Sequence, residues 1–305
     1  MSHLSSHRSR RVFRLTLILS LFLALSGVTH AQYFGRNKVQ YGKFDFKVLK
    51  TEHFDIHFYS SEAAVAPIAG RMAERWYARL SRLFEHDLSS RQVIILYASH
   101  PDFEQTNVIE GELGEGTGGV TEGLRRRVVM PMGATLADSD HVLGHELVHT
   151  FQYDMLDRNA GMMPLWFIEG MAEYLSVGPR DVQTAMWLRD AAIEDRLPLI
   201  KNLDDPRYFP YRFGHAFWAY VAGRWGDKTI ASVMAALSPT GGIAIPDTTD
   251  PAVASNVAAG GRADAVDMIE LVTGKKQAEL SAEWPSAGTR GCRGCSHTIC
   301  PPVRS

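Results

Sequence analysis

The sequence predicts an α+β fold in which strands come first and helices follow. Three observations carry this. Phe44–Leu49 and Phe54–Tyr59 alternate apolar and polar residues, the period of a half-buried strand. Ile68, Met72, Trp76, Leu80 and Phe84 recur every four positions, the stripe of an amphipathic helix. From Asp138 onward the chain is patterned for helix almost throughout. Strands followed by helices, rather than alternating with them, give a small N-terminal mixed sheet with a helix packed on it and a mostly helical C-terminal lobe.

The elements follow in chain order. Residues 1–14 are polar and carry Arg8, Arg10, Arg11 and Arg14. Leu15 to Val28 is apolar and uncharged, and Thr29-His30-Ala31 precedes Gln32. That order is the pattern of a secretory signal peptide over residues 1–31, and the apolar run is short for a spanning helix. Ser9-Arg10-Arg11-Val12-Phe13 also resembles a twin-arginine signal. The expected product is exported, periplasmic or secreted; the alternative is a membrane anchor formed by residues 15–28.

The first two strands read as a hairpin. The helix over Ser61–Phe84 leads to a short buried strand, Val93–Tyr97, which His100-Pro101 terminates. A Gly-rich stretch, Gly111–Gly123, precedes Arg126–Pro131. The flanking arginines and the terminal Pro of that last segment predict an edge strand. Helices are expected at about 139–155, 165–177, 182–195, 213–225, 228–237 and 263–283. The organisation is therefore a signal segment to residue 31, a sheet lobe over 32–136, a helical lobe over 137–285 and a tail over 286–305.

Composition narrows the function classes. The chain has 305 residues, 45% hydrophobic and 22% charged, enough to bury a core and unlike a disordered chain. The net charge is −2, and four of its basic residues lie in the signal segment. No basic field invites nucleic acid. All three cysteines lie between 292 and 300, so no disulfide framework holds the main body.

The chemistry is concentrated in His145-Glu146-Leu147-Val148-His149. Asp138, Ser139 and Asp140 are candidate caps for this helix, and their acids suit the positive end of its dipole. Leu143, Leu147, Phe151 and Met155 pack it onto the core, leaving His145 and His149 one turn apart on another face. Two imidazoles so placed can bind one Zn²⁺. Glu146 points about 100° round the helix from His145. That places it beside the metal, where a carboxylate can take a proton from water. The competing reading is a surface helix with two solvated histidines.

The next helix decides between them. After a turn-rich break, Trp166-Phe-Ile-Glu169-Gly-Met-Ala-Glu173-Tyr-Leu is apolar on most faces yet holds two acids four apart. Carboxylates in such a helix are costly unless paired or ligating. If it runs antiparallel to the first, Glu169 completes a His₂Glu zinc site. Glu173 then accepts the second ring N–H of a ligand histidine.

These residues resemble the gluzincin metallopeptidases, the superfamily of thermolysin and aminopeptidase N. The run Glu169-Gly170-Met171-Ala172-Glu173-Tyr174 looks most like the peptidase-MA-like domains of exported bacterial proteins. Nineteen residues separate His149 from Glu169, as in thermolysin; the aminopeptidase pattern has one fewer. The resemblance implies a zincin-like fold with its active-site cleft between the lobes. It implies His145, His149 and Glu169 as ligands of Zn²⁺, Glu146 as general base and Glu173 behind the ligands. It also implies that the Gly-rich stretch and the Arg126–Pro131 strand, with Val128, line the upper edge of the cleft, where an extended peptide adds as a strand.

In the aminopeptidase branch a Tyr in a Tyr-x-x-Gly context stabilises the oxyanion. Tyr211-Arg212-Phe213-Gly214 fits that context, so Tyr211 takes this role, with Tyr208 and His215 as alternatives and His215 also a candidate for substrate binding. Gly119-Val120-Thr121-Glu122-Gly123 aligns in part with the motif whose Glu holds a substrate N-terminus, making Glu122 a candidate. The implied activity is hydrolysis of a peptide or protein substrate. The alternative is a non-catalytic peptide-binding or assembly module of the cell envelope on the same scaffold. The tail carries Cys292-x-x-Cys295-x-His297-x-x-Cys300. That resembles a zinc knuckle, but no apolar residues surround it, and a disordered terminus is the expectation.

Overall fold

A computed structural model describes residues 40–109, 111–133, 135–238 and 265–290. The signal segment and the Cys-containing motif lie outside these residues. Five strands form one sheet: β1 (Lys47–Lys50), β2 (Phe54–Phe58), β3 (Gln92–Tyr97), β4 (Val120–Glu122) and β5 (Arg127–Pro131). Their order across the sheet is β1-β2-β3-β5-β4. The hairpin β1–β2 is antiparallel, β2–β3 and β3–β5 are parallel, and β5–β4 is antiparallel.

This corrects one expectation. Arg127–Pro131 is not an edge strand, because it pairs with β3 on one side and β4 on the other. The Gly-rich stretch ends in three residues that fold back on β5, and β4 becomes the edge. The flanking arginines misled for a local reason. Arg126 stands at the turn with φ of 52° and sends its guanidinium to Asp154. Arg127 sends its own to Glu122, 3.2 Å away.

The register aligns Ile56 with Ile94 and Ile94 with Val128, so all three lie on one face of the sheet, and all three are fully buried. That face meets α1 (Ala66–Phe84) and α3 (Leu136–Leu156). The opposite face carries a smaller aromatic cluster of Tyr59, Tyr97 and Phe103, with Phe44 and Phe46 packed on it. A short helix, α2 (His100–Glu104), follows β3, capped by the Ser99 hydroxyl.

The helical part comprises α4 (Leu165–Val177), α5 (Val182–Ile193), α6 (Pro210–Trp225), α7 (Lys228–Leu237), α8 (Ala265–Thr273) and α9 (Gln277–Arg290). Helices α4 and α7 have the expected bounds. The single helix expected over 263–283 is two, parted at Gly274, which adopts a φ of 66° that only glycine takes readily. Helix α9 continues to Arg290. One hydrophobic core runs from Phe54 of β2 to Trp284 of α9. Among the described residues, no helix is long and apolar enough to cross a membrane.

Candidate active site

Helix α3 begins one turn earlier than its acids suggest. Its cap is Thr135, whose hydroxyl accepts the Asp138 N–H at 3.0 Å and donates to the Asp138 carboxylate at 2.7 Å. Asp140 serves α1 instead, accepting from Trp76 Nε1 at 2.8 Å and Arg75 at 2.6 Å. Gly144 lets Trp76 lie flat against α3, since a Cβ there would meet the indole at 2.5 Å. The helix is thus held against α1 one residue before His145.

After α3, a 3-10 turn over Asp157–Met162 reverses the chain into α4. The reversal brings three ligand-type atoms together. His145 Nε2 and His149 Nε2 are 3.1 Å apart. Glu169 Oε2 lies 3.1 Å from the first and 3.2 Å from the second. A tetrahedral ion with bonds of 2.0–2.1 Å separates its ligands by about 3.3 Å, so this triangle fits one face of such a site. Both imidazoles present a ring nitrogen to the same carboxylate oxygen, a donor set suited to a divalent metal.

The outer ring nitrogens are also engaged. His149 Nδ1 lies 2.8 Å from Gln152 Oε1, and Gln152 Nε2 donates to the Ile168 carbonyl at 3.0 Å. His145 Nδ1 faces Glu173 Oε1 at 3.4 Å. Both contacts would suit the Nδ1–H tautomers that a metal-bound imidazole adopts. Gln152 was not singled out from the sequence, although its place three residues after His149 is a usable signal.

Glu146 is buried and leaves the triangle for β4. Thr121 Oγ1 lies 2.7 Å from its Oε2 and 2.9 Å from its carbonyl. Gly119 sits against the same side chain, and a Cβ there would approach Glu146 Cγ to 3.0 Å. The Gly-rich stretch therefore passes directly over the carboxylate. Thr121 lies within the Gly119–Gly123 motif, but its contact with Glu146 had no signal in the sequence, because it spans 25 positions.

The charges of the cluster stabilise one another. Burial lowers the proton affinity of His145, but Glu169 and Glu173 outweigh it and push its pKa up to about 10. Burial raises the Glu169 carboxyl, yet the two histidines hold it well below the usual range. Glu173 is likewise held low against burial, by His141, His145 and Arg212. Burial, then Glu169, raises the Tyr211 hydroxyl, so it stays protonated at neutral pH. Its ring stacks on His145, 5.9 Å between centroids and 13° from parallel.

The other candidates are engaged by partners of their own. Tyr208 packs edge-on against Phe213. His215 is buried and faces the Gly178 carbonyl through Nε2 at 2.8 Å; burial lowers its pKa. The Glu122 carboxylate closes its own turn, accepting the N–H groups of Leu124 and Arg125 and the Arg127 guanidinium. Val128 is wholly buried on the core face and offers no side chain to a cleft.

Residues 130–197 match the model of the BSP family, described as a peptidase of plants and bacteria. The matched span holds His145, Glu146, His149, Glu169 and Glu173, and it ends before Tyr211. No curated protein matches the chain.

Proposed function

We propose that this chain is an exported zinc-dependent peptidase of the gluzincin type, with a zincin-like cleft where β4 passes over α3. The observation that carries the reading is the convergence of His145 Nε2, His149 Nε2 and Glu169 Oε2 to within 3.2 Å of one another, beside a buried Glu that is not part of the triangle. The similarity of the same segment to a peptidase family supports it. Export rests on the pattern of residues 1–31.

His145, His149 and Glu169 would hold the ion, and zinc so bound supplies Lewis acidity toward water and a carbonyl oxygen. Glu146 accepts the proton of the attacking water and returns it to the leaving amine. Thr121 fixes the Glu146 carboxylate for this task. Tyr211 donates a hydrogen bond to the charge that develops on the carbonyl oxygen. A peptide substrate pairs with β4, the edge strand on this side of the sheet. This reassigns the substrate edge from Arg127–Pro131 to Val120–Glu122.

The test is metal content and hydrolysis on the same preparations. The wild-type chain is expected to hold one zinc and to cleave denatured protein until a chelator removes the metal. His149→Ala should lose both properties. Stoichiometric zinc in His149→Ala would sink the ligand assignment. Chelator-insensitive cleavage by the wild type would sink the metal mechanism.

A further inference from the structure

Behind the proposed zinc ligands lies a line of largely enclosed charges. Glu173 on α4 has two differently occupied oxygens. Oε1 faces His145 Nδ1 at 3.4 Å and His141 Nε2 at 3.5 Å. Oε2 accepts from Arg212 Nη1 at 2.9 Å. The same Nη1 donates to Asp181 Oδ2 at 3.1 Å. That Asp181 oxygen also accepts the Thr184 N–H at 2.6 Å and so caps α5. The side chains of Glu173, Arg212 and Asp181 are 7, 15 and 13% exposed.

Each partner has a consequence. A carboxylate this enclosed needs a fixed cation to remain charged and oriented. His141 is 39% exposed, so water competes for it. Arg212 is enclosed and permanently charged. It also has little freedom to move, because Asp181 holds the same nitrogen and the first turn of α6 carries it. Tyr211, the neighbour of Arg212 in that turn, stacks on His145 itself.

We propose that Arg212, braced by Asp181, is a positioning residue for the metal site. It pins the outer oxygen of Glu173 so that the inner oxygen stays aimed at His145 Nδ1, which keeps His145 Nε2 turned toward His149 and Glu169. The inference rests on the metal-site reading above. It links metal affinity to the seating of α5, an element that contributes no ligand.

The test is zinc affinity of the purified chain, measured by competition with a chromogenic chelator, together with the thermal midpoint of the metal-free protein. Arg212→Met is expected to weaken zinc about 10–100-fold, the range for partners behind a ligand. Both contacts come from one nitrogen, so the compact ammonium of Arg212→Lys should recover most of the affinity. Asp181→Asn keeps a capping oxygen and removes the negative charge that braces Arg212; it should weaken zinc by a smaller factor and serves if Arg212→Met does not fold. A lower midpoint with wild-type zinc affinity in Arg212→Met, or in Asp181→Asn where the first does not fold, would overturn the proposal and leave Arg212 a purely structural residue. A wild-type chain that takes up no zinc would instead overturn the metal-site reading itself, and this proposal with it.

Discussion

Gly170 of α4 and Gly214 of α6 touch backbone to backbone. A Cβ on Gly170 would overlap the Gly214 main chain, and one on Gly214 would overlap the Trp166 carbonyl. This close crossing brings the first turn of α6, with Tyr211 and Arg212, up to Glu169 and Glu173. Gly170→Ala must push the helices apart, and overpacking of this kind costs roughly 1–3 kcal/mol or more. The expected outcome is a lower denaturant midpoint together with weaker zinc binding. A variant as stable as wild type would show that the crossing is not held as described.

Glu146→Gln is expected to keep the fold and the metal while lowering kcat by about 10²–10⁴. Thr121→Val removes the hydroxyl that holds Glu146 and should lower kcat by a smaller factor with zinc content unchanged. Single-turnover hydrolysis and metal analysis on both variants check this. Wild-type rates for Glu146→Gln would refute its role as base.

Tyr211→Phe keeps the ring that stacks on His145 and deletes only the hydroxyl. Loss of one oxyanion donor costs about 10²–10³ in kcat, with KM and zinc affinity little changed. The raised pKa of Tyr211 implies that no high-pH limb below pH 10 arises from its ionisation. Unaltered kcat in the variant would return Tyr211 to a packing role.

Asp154 joins the end of α3 to the loop before β3 and to the β4–β5 turn. Burial raises its carboxyl, but Ser89, His86 and Arg126 outweigh it and hold the pKa below the ordinary value. A carboxylate held low in the fold stabilises it above the unfolded pKa and loses that contribution as pH falls through the folded value. Asp154→Asn should therefore cost about 2 kcal/mol near neutrality. The gap from wild type should close as pH drops below about 4, where the unfolded carboxylate protonates. Urea titrations across that range check it, and a constant gap would count against the assignment.

The sequence by itself determined the features that helical geometry dictates. One turn separates His145 from His149, and one turn separates Glu169 from Glu173. Those intervals place the pairs on single faces whatever surrounds them. The apolar periodicities likewise set the existence and type of most helices. What the tertiary structure decided are contacts between elements distant in sequence: Thr121 on Glu146, Arg212 on Glu173, Glu122 turned into its own hairpin, and β4 rather than β5 at the sheet edge. No periodicity encodes these, because they depend on how far a loop folds back and how closely two helices cross. Backbone pairing and the Gly170–Gly214 contact settle both only once the chain is packed.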